Sequence, residues 1–360
     1  MSENRKRITI KDIAKISGIS AGTVDRVLHN RGDVSERSKA KIKAVIKELN
    51  YEPNIIASSL SARKTYRFIT LLPSFEQGGY WEEIDKGIDK AQEDYAMFNV
   101  AIEKRYFNQF DAQSFFNAVD DLEKESFDGL LMSPILREKS ITLCEKMNKL
   151  NIPVVFVDSL IEEAKIVAYF GQPSYQSGYI GAQAASQQLP AGKSIALFRA
   201  LRKGFIGANQ TLQRMDGFLS YMREFRPDCS VINVELPLST PDNISESNDI
   251  MRQAFDKKNN VGVAVIFNST AYRIASFLDS EAIKDIQVVG YDTLTSNVYY
   301  LKKGIISMLI GQRPNKQSHH GIKALFNNVV MKQPVKRKNY MPIDILVKDN
   351  IDYYVNYEED

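Results

Sequence analysis

The first sixty residues constrain this chain more than any other stretch. Between Ile8 and Leu60, two short helical patterns are separated by a tight turn at Gly18. Ser20 stands where the second helix begins and is a good N-cap. Ala21, Gly22 and Thr23 form that helix's first turn, and Arg26 lies one turn on. Ile13, Ile16 and Ile19 bracket the turn, and Ala14 is small enough for a close helix crossing. Val24, Val27 and Leu28 supply an inward face at i, i+3, i+4. A third helix is expected from Ser35, with Ile42, Val45, Ile46 and Leu49 on one side. Three short helices around one small core suit a helix-turn-helix, whose second helix fits the DNA major groove. The same pattern also suits a plain three-helix bundle used for protein contacts.

Charge favours the first of these. Residues 1–65 carry 14 Lys+Arg against 7 Asp+Glu, a net of +7, whereas the whole chain is +3, which leaves the remainder at −4. A basic head on a mildly acidic body points to a polyanionic partner for the head. Arg5, Lys6 and Arg7 precede the first helix, and Lys39, Lys41, Lys43 and Lys47 decorate the third. Beyond it, Pro53 disfavours helix at Glu52. Asn54 then stands as a cap for a short helix over residues 55–62, with small residues at Ala57, Ser58 and Ser59 and one large apolar residue, Leu60. Such a helix is marginal alone. The segment is either a hinge that forms against a partner or DNA, or an ordinary linker.

The string resembles the DNA-binding head of the LacI/GalR family of bacterial transcription regulators. The match runs through Thr9, Asp12, Ile13, Ala14, Gly18, Ser20, Thr23, Val24, Arg26, Val27 and Leu28. It continues through Val34, Ser35, Leu49, Tyr51, Pro53, Asn54, Ala57 and Leu60. The resemblance implies DNA contacts by Thr9, Ser20, Ala21, Gly22, Thr23, Arg26, Asn30, Asn54, Ala57 and Leu60. Within that set, Ala21, Gly22 and Arg26 face base edges and Leu60 intercalates in the minor groove. Two positions depart from the pattern. Asp25 replaces the usual serine, and it either costs a hydroxyl donor or orients Arg26 or Arg31. Gly22 has no side chain with which to read a base, so direct readout rests on Arg26 as a bidentate donor to guanine.

From Arg67 onward, short apolar runs alternate with helix-length segments. Expected strands are 67–73, 99–107, 127–133, 153–158, 165–171, 194–199, 231–237, 261–267, 286–291 and 306–311. Near-continuous apolar strands of this kind read as parallel sheets covered on both faces. Their number implies two doubly wound lobes. The body resembles the periplasmic-binding-protein-like (type I) effector domain of the same family, whose chain crosses three times between lobes. The expected division is a DNA-binding domain at 1–53, a hinge and linker at 54–65, and an effector-binding and dimerisation domain at 66–360. The first lobe is placed at about 66–169 and 305–332, the second at about 170–304 and 333–360.

Ligands of open α/β sheets sit at the carboxyl ends of the strands. Asp158 ends PVVFVD and Asp292 ends IQVVGYD; both suit sugar hydroxyls as hydrogen-bond acceptors. Tyr80 and Trp81 open a helix after a Gly-Gly loop. Trp81, the single tryptophan, either stacks on a sugar ring or packs under its helix. The resemblance adds Arg214, Asn268 and Gln312 to the cleft. Ser269 replaces the family's usual aspartate, which departs from a standard hexose pattern. Arg199, Arg202 and Lys203 belong either to an acidic-sugar site or to the lobe surface.

No catalytic residue, metal ligand set or cofactor motif is assigned. His319 and His320 are adjacent, so they do not share a helix face. Cys144 and Cys229 form no disulfide framework and fit a reducing compartment. No apolar run is long enough to span a membrane, and the N-terminus MSENRKR carries no apolar signal segment. The expectation is a cytoplasmic homodimer and no membrane partner. It would bind double-stranded, pseudo-palindromic operator DNA, respond to a small sugar-like effector and most commonly repress. A solute-binding receptor and a small-molecule enzyme are the alternatives that share the body.

Overall fold

The structure, a computed structural model, describes residues 8–28, 32, 34–49, 64–201, 209–237 and 244–354. Two compact units divide at Arg63 and Lys64.

The head contains α1 (Ile10–Ser17), α2 (Ala21–Leu28) and α3 (Glu36–Glu48). Thr9 and Asp12 form a reciprocal capping box on α1, the Thr9 N–H donating to Asp12 Oδ2 at 2.8 Å. Gly18 ends α1 with φ of 65°, a left-handed conformation that glycine adopts without strain. Ser20 Oγ accepts the Thr23 N–H at 3.3 Å and Ser35 Oγ accepts that of Ser38 at 3.3 Å, so both expected caps form. Ile13, Val24, Ile42 and Val45 make the buried core. Ile16, expected beside the turn in that core, is 54% exposed. The inward stripe of α1 runs through Ile13 and Ser17, one helical turn apart, and Ile16 falls off it. Asn30, Asn54, Ala57 and Leu60 lie outside the described residues.

The first lobe of the body begins with β1 (Tyr66–Pro73), α4 (Tyr80–Tyr95), β2 (Val100–Phe107) and α5 (Ala112–Leu122). It continues with β3 (Gly129–Met132), α6 (Arg137–Lys149), β4 (Val154–Val157) and β5 (Ala168–Gly171). The second lobe runs α7 (Ser174–Gln188), β6 (Ser194–Leu201), α8 (Asn209–Phe225), β7 (Val231–Pro237) and α9 (Ile244–Ala254). Then come β8 (Val261–Ile266), α10 (Ala271–Ser280), β9 (Gln287–Tyr291), α11 (Thr295–Lys303) and β10 (Ile306–Gly311). The chain returns to the first lobe for α12 (Pro314–Val329) and β11 (Lys338–Tyr340), and ends in the second with β12 (Asp344–Leu346).

The sheet orders are β11-β5-β4-β3-β1-β2 and β12-β10-β9-β8-β6-β7. Every pairing is parallel except β10 with β12. Parallel strands need long crossovers, and these put helices on both faces. In the first lobe α4 and α12 cover one face while α5 and α6 cover the other. In the second, α9, α10 and α11 oppose α7 and α8.

Three segments fall in the other lobe from the one expected. β10, placed at 305–332 with the first lobe, pairs with β9 and β12 in the second sheet. β11, placed at 333–360 with the second lobe, pairs with β5 in the first. Phe170 and Gly171 complete β5, so the first lobe runs past 169. An apolar run such as ISMLIG is compatible with either sheet, and only long-range pairing decides between them.

Three crossovers therefore join the lobes, after Gly171, Gly311 and Tyr340. Gln172, on the first, donates from Nε2 to the carbonyls of Gly311 at 2.6 Å and Pro342 at 2.7 Å, on the other two. One buried amide thus ties all three. Gln172→Ala leaves both carbonyls without that donor. A loss of about 1–3 kcal/mol is expected in urea unfolding, and an unchanged midpoint would mean that the tie carries no stability.

Candidate functional site

The site is built on an equivalence between the two sheets. β4 and β9 occupy matching positions, and each ends in an aspartate with φ of 67°. Few residues other than glycine tolerate this conformation, and aspartate is one of them. The Asp158 N–H donates to Phe170 O at 3.1 Å and to Gln317 Oε1 at 3.0 Å; the Asp292 N–H donates to Ile310 O at 3.0 Å. Both turns are thereby fixed with their side chains between the lobes.

The carboxylates line a cleft of about 1150 Å³, and so do Tyr80, Trp81, Arg214, Asn268 and Gln312. All seven residues singled out from sequence thus meet in one place. Tyr80 donates its hydroxyl to Asp158 Oδ1 at 2.8 Å. Gln210 donates to the same oxygen at 3.1 Å and to Gln312 Oε1 at 3.2 Å. Gln312 donates to both oxygens of Asp292, at 2.9 and 3.1 Å. Arg214, 1% exposed on α8, donates to Phe267 O at 2.7 Å and also to Gln312 Oε1. Its guanidinium lies 4.1 Å from the centre of the Tyr291 ring, within cation–π range. Its Nε, fully buried, has no partner. One polar chain therefore runs from Tyr80 through Asp158, Gln210 and Gln312 to Asp292.

Burial governs the charges here. It pushes the Asp158 carboxyl up, against the lowering pull of the Tyr80 hydrogen bond and the Arg214 charge. It pushes Asp292 up to about 7, again opposed by Arg214 and by the Gln312 hydrogen bond. Burial and the two carboxylates hold Tyr80 well above the usual phenol range. Folded Asp292 keeps its proton up to about pH 7, whereas in the unfolded chain it loses it near pH 3.9. Stability is therefore expected to fall as pH rises through that window and to level off above it. The contribution is at most about 4 kcal/mol. Asp292→Asn should make the profile shallower, the raised Asp158 carboxyl keeping a slope of the same sign, and denaturant unfolding between pH 5 and 8 reads the difference directly. An equally steep profile in the variant would assign the slope elsewhere.

The other assignments divide. Trp81 lines the cleft while part of it packs on the first-lobe core, and its ring meets Tyr80 edge to face at 5.1 Å. Asn268 turns its oxygen to its own loop, accepting from Thr270 N at 3.0 Å and Oγ1 at 2.7 Å. Arg199 pairs with Glu235 on the adjacent strand; Arg202 and Lys203 lie outside the described residues. His319 pairs with Asp94 at 2.8 Å, and the His320 ring lies 6.0 Å from that of Phe170. Among the described residues no cluster of three metal-ligating side chains occurs, and no helix is long and apolar enough to cross a membrane. Sequence reading missed Gln210, Gln317 and Gln172. Gln210 had a signal, four residues before Arg214 and so on the same helix face. The other two had none, because their partners are remote in the chain.

On the head, Ala21, Gly22 and Arg26 are exposed on α2, and Lys41, Lys43 and Lys47 are exposed on α3. Thr9 and Ser20 are also exposed and serve as caps, and Thr23 Oγ1 is hydrogen-bonded to Ser20 Oγ at 2.9 Å.

A basic helix-turn-helix unit followed in sequence by a two-lobed ligand-binding body defines a class of DNA-binding regulators. Residues 9–54 match the model of bacterial regulatory proteins of the lacI family, and residues 68–333 match that of the periplasmic binding protein domain. The chain is 34% identical to a putative LacI transcriptional regulator from Bacteroides fragilis, with a TM-score of 0.77, covering 81% of this chain and 100% of that one. It is 25% identical to the ribose operon repressor of Bacillus subtilis, over 79% of this chain and 82% of the relative. It is 24% identical to the transcriptional repressor PurR of Actinobacillus pleuropneumoniae, over 93% and 94%. The chain belongs to the LacI family of bacterial transcription regulators, with a LacI-type DNA-binding domain and a periplasmic-binding-protein-like body.

Proposed function

We propose that this protein is a cytoplasmic, homodimeric repressor whose operator binding is controlled by a small sugar-like effector held between the lobes. The observation that carries this reading is the buried chain Tyr80–Asp158–Gln210–Gln312–Asp292 beside Arg214. Closely spaced carboxylates, amides and a guanidinium suit the vicinal hydroxyls of a carbohydrate. The names of two similar proteins, the ribose operon repressor and the sucrose operon repressor of Staphylococcus xylosus, support it.

Two heads would meet the half-sites of a pseudo-palindrome, with Ala21, Gly22 and Arg26 toward the bases. Leu60 of each would wedge into the central step. Thr9, Ser20, Thr23, Asn30, Asn54 and Ala57 complete the proposed DNA surface. Tyr80, Trp81, Asp158, Arg214, Asn268, Asp292 and Gln312 are the proposed effector contacts. The body acts as a binding module, not an enzyme: amides and a phenol engage its two carboxylates, an arrangement suited to recognition.

The test uses an operator selected by the full chain from random duplexes. Arg26→Ala is expected to cost about 1–3 kcal/mol on that operator and to relax one base position. Lys41→Ala should weaken operator and random DNA alike. An equal loss on both DNAs in the Arg26 variant would remove its base-reading role.

A further inference from the structure

On the second lobe, α7 and α8 bury Ala182, Ala185, Phe218 and Met222 against the sheet. Their outer sides carry a plate of aromatic rings. Tyr179 meets Tyr221 edge to face at 5.1 Å, Tyr221 lies 4.9 Å from Phe225, and Tyr175 stacks on Tyr179 at 6.5 Å. Tyr175 is 39% exposed and Phe225 52%. Aromatic rings gathered at a surface in this way mark a place where another molecule sits.

The charge pattern says which molecule. Among the described α-helices of the body, α7 alone contains no Asp, Glu, Lys or Arg, and every other carries at least two. A polyanion would ask for Lys or Arg, and α7 offers none. Beside its tyrosines α7 exposes Gln176, Gln183 and Gln187, which the i, i+7, i+11 spacing puts on one side. In a twofold contact each group meets groups of its own surface. A charge near the axis then repels its copy. A glutamine amide or a tyrosine hydroxyl both donates and accepts, so it can pair with its copy. The end of α8 and the turn after it carry Arg223, Glu224, Arg226 and Asp228. That is two charges of each sign, with Arg226 paired to Asp228 at 3.2 Å, so this rim is neutral and suits its own copy.

We infer that the outer face of α7 and α8 packs on the same face of a second copy of this chain. The face belongs to the second lobe, whereas the head joins the body at β1 in the first. The contact therefore goes beyond the pairing of heads that operator binding needs. Two helices side by side, about 22 Å long and about 20 Å wide, give a footprint of roughly 440 Å² per copy. That is below the roughly 800 Å² of a standard interface, and the association is accordingly weak and concentration-dependent.

The test is sedimentation velocity on the full chain over about 1–100 μM subunit, a range that brackets micromolar affinity. The mass should double reversibly across it. Tyr175→Lys and Phe225→Lys should each raise the concentration of half-association at least about tenfold. Both side chains are exposed, so the fold should persist, and circular dichroism verifies that it does. Leu150→Lys, at a site 58% exposed on the first lobe, should leave the association unchanged. A constant mass that both α7/α8 variants halve supports the contact equally. Association unchanged in either variant overturns the inference, and so does an equal weakening by Leu150→Lys. A dimer that neither variant disturbs leaves the homodimer reading standing, and a monomer at every concentration overturns both.

Discussion

Gly178→Val is expected to destabilise the body by about 3 kcal/mol or more and to displace the cleft arginine with it. A Cβ at Gly178 would stand 1.8 Å from the carbonyl oxygen of Arg214, and one at Gly217 would stand 2.0 Å from that of Tyr175. α7 and α8 cross with their backbones in contact, and each contributes one of these glycines. The obstructing atoms are main chain, so no change of rotamer relieves the collision. Gly178→Ala should fail in the same way, because the clash belongs to the Cβ itself. Urea unfolding and near-ultraviolet circular dichroism read the two effects. A wild-type midpoint in Gly178→Val would mean that the helices do not cross this closely.

Arg214→Met is expected to cost about 3 kcal/mol of stability and to abolish effector binding. The methionine fills much of the space but leaves Gln312 Oε1 and the Phe267 carbonyl without a charged donor. It also removes the cation that opposes the upward drift of Asp158 and Asp292. Asp292, already at about 7, should then stay protonated at neutral pH. Arg214→Lys should not rescue binding, because an ammonium lacks the planar fork that reaches two acceptors and stacks on Tyr291. Calorimetry with whichever sugar binds the parent chain tests this. Full-affinity binding by the methionine variant would remove Arg214 from the site.

The head was legible almost residue by residue, because its signals are local. Caps at Thr9, Ser20 and Ser35 act over three residues, and Gly18 supplies its own left-handed turn. Ile16 misled because apolar character alone does not fix which side of a two-turn helix faces inward. In the body, strand–helix alternation announced parallel sheets.

Sequence by itself determined the helix-turn-helix, the doubly wound class, the family resemblance and the strand-end aspartates. Periodicity, capping and apolar runs are properties of neighbouring residues, and the chain writes them directly. Tertiary structure alone decided that β10 joins the second sheet and β11 the first. It alone brought Gln210, Gln312 and Gln317 onto the two aspartates, and set Gln172 across three crossovers. Those outcomes depend on hydrogen bonds between residues far apart in the chain. An amide in a sequence does not say which distant partner it will satisfy, so that pairing is settled only when the sheets assemble and bury it.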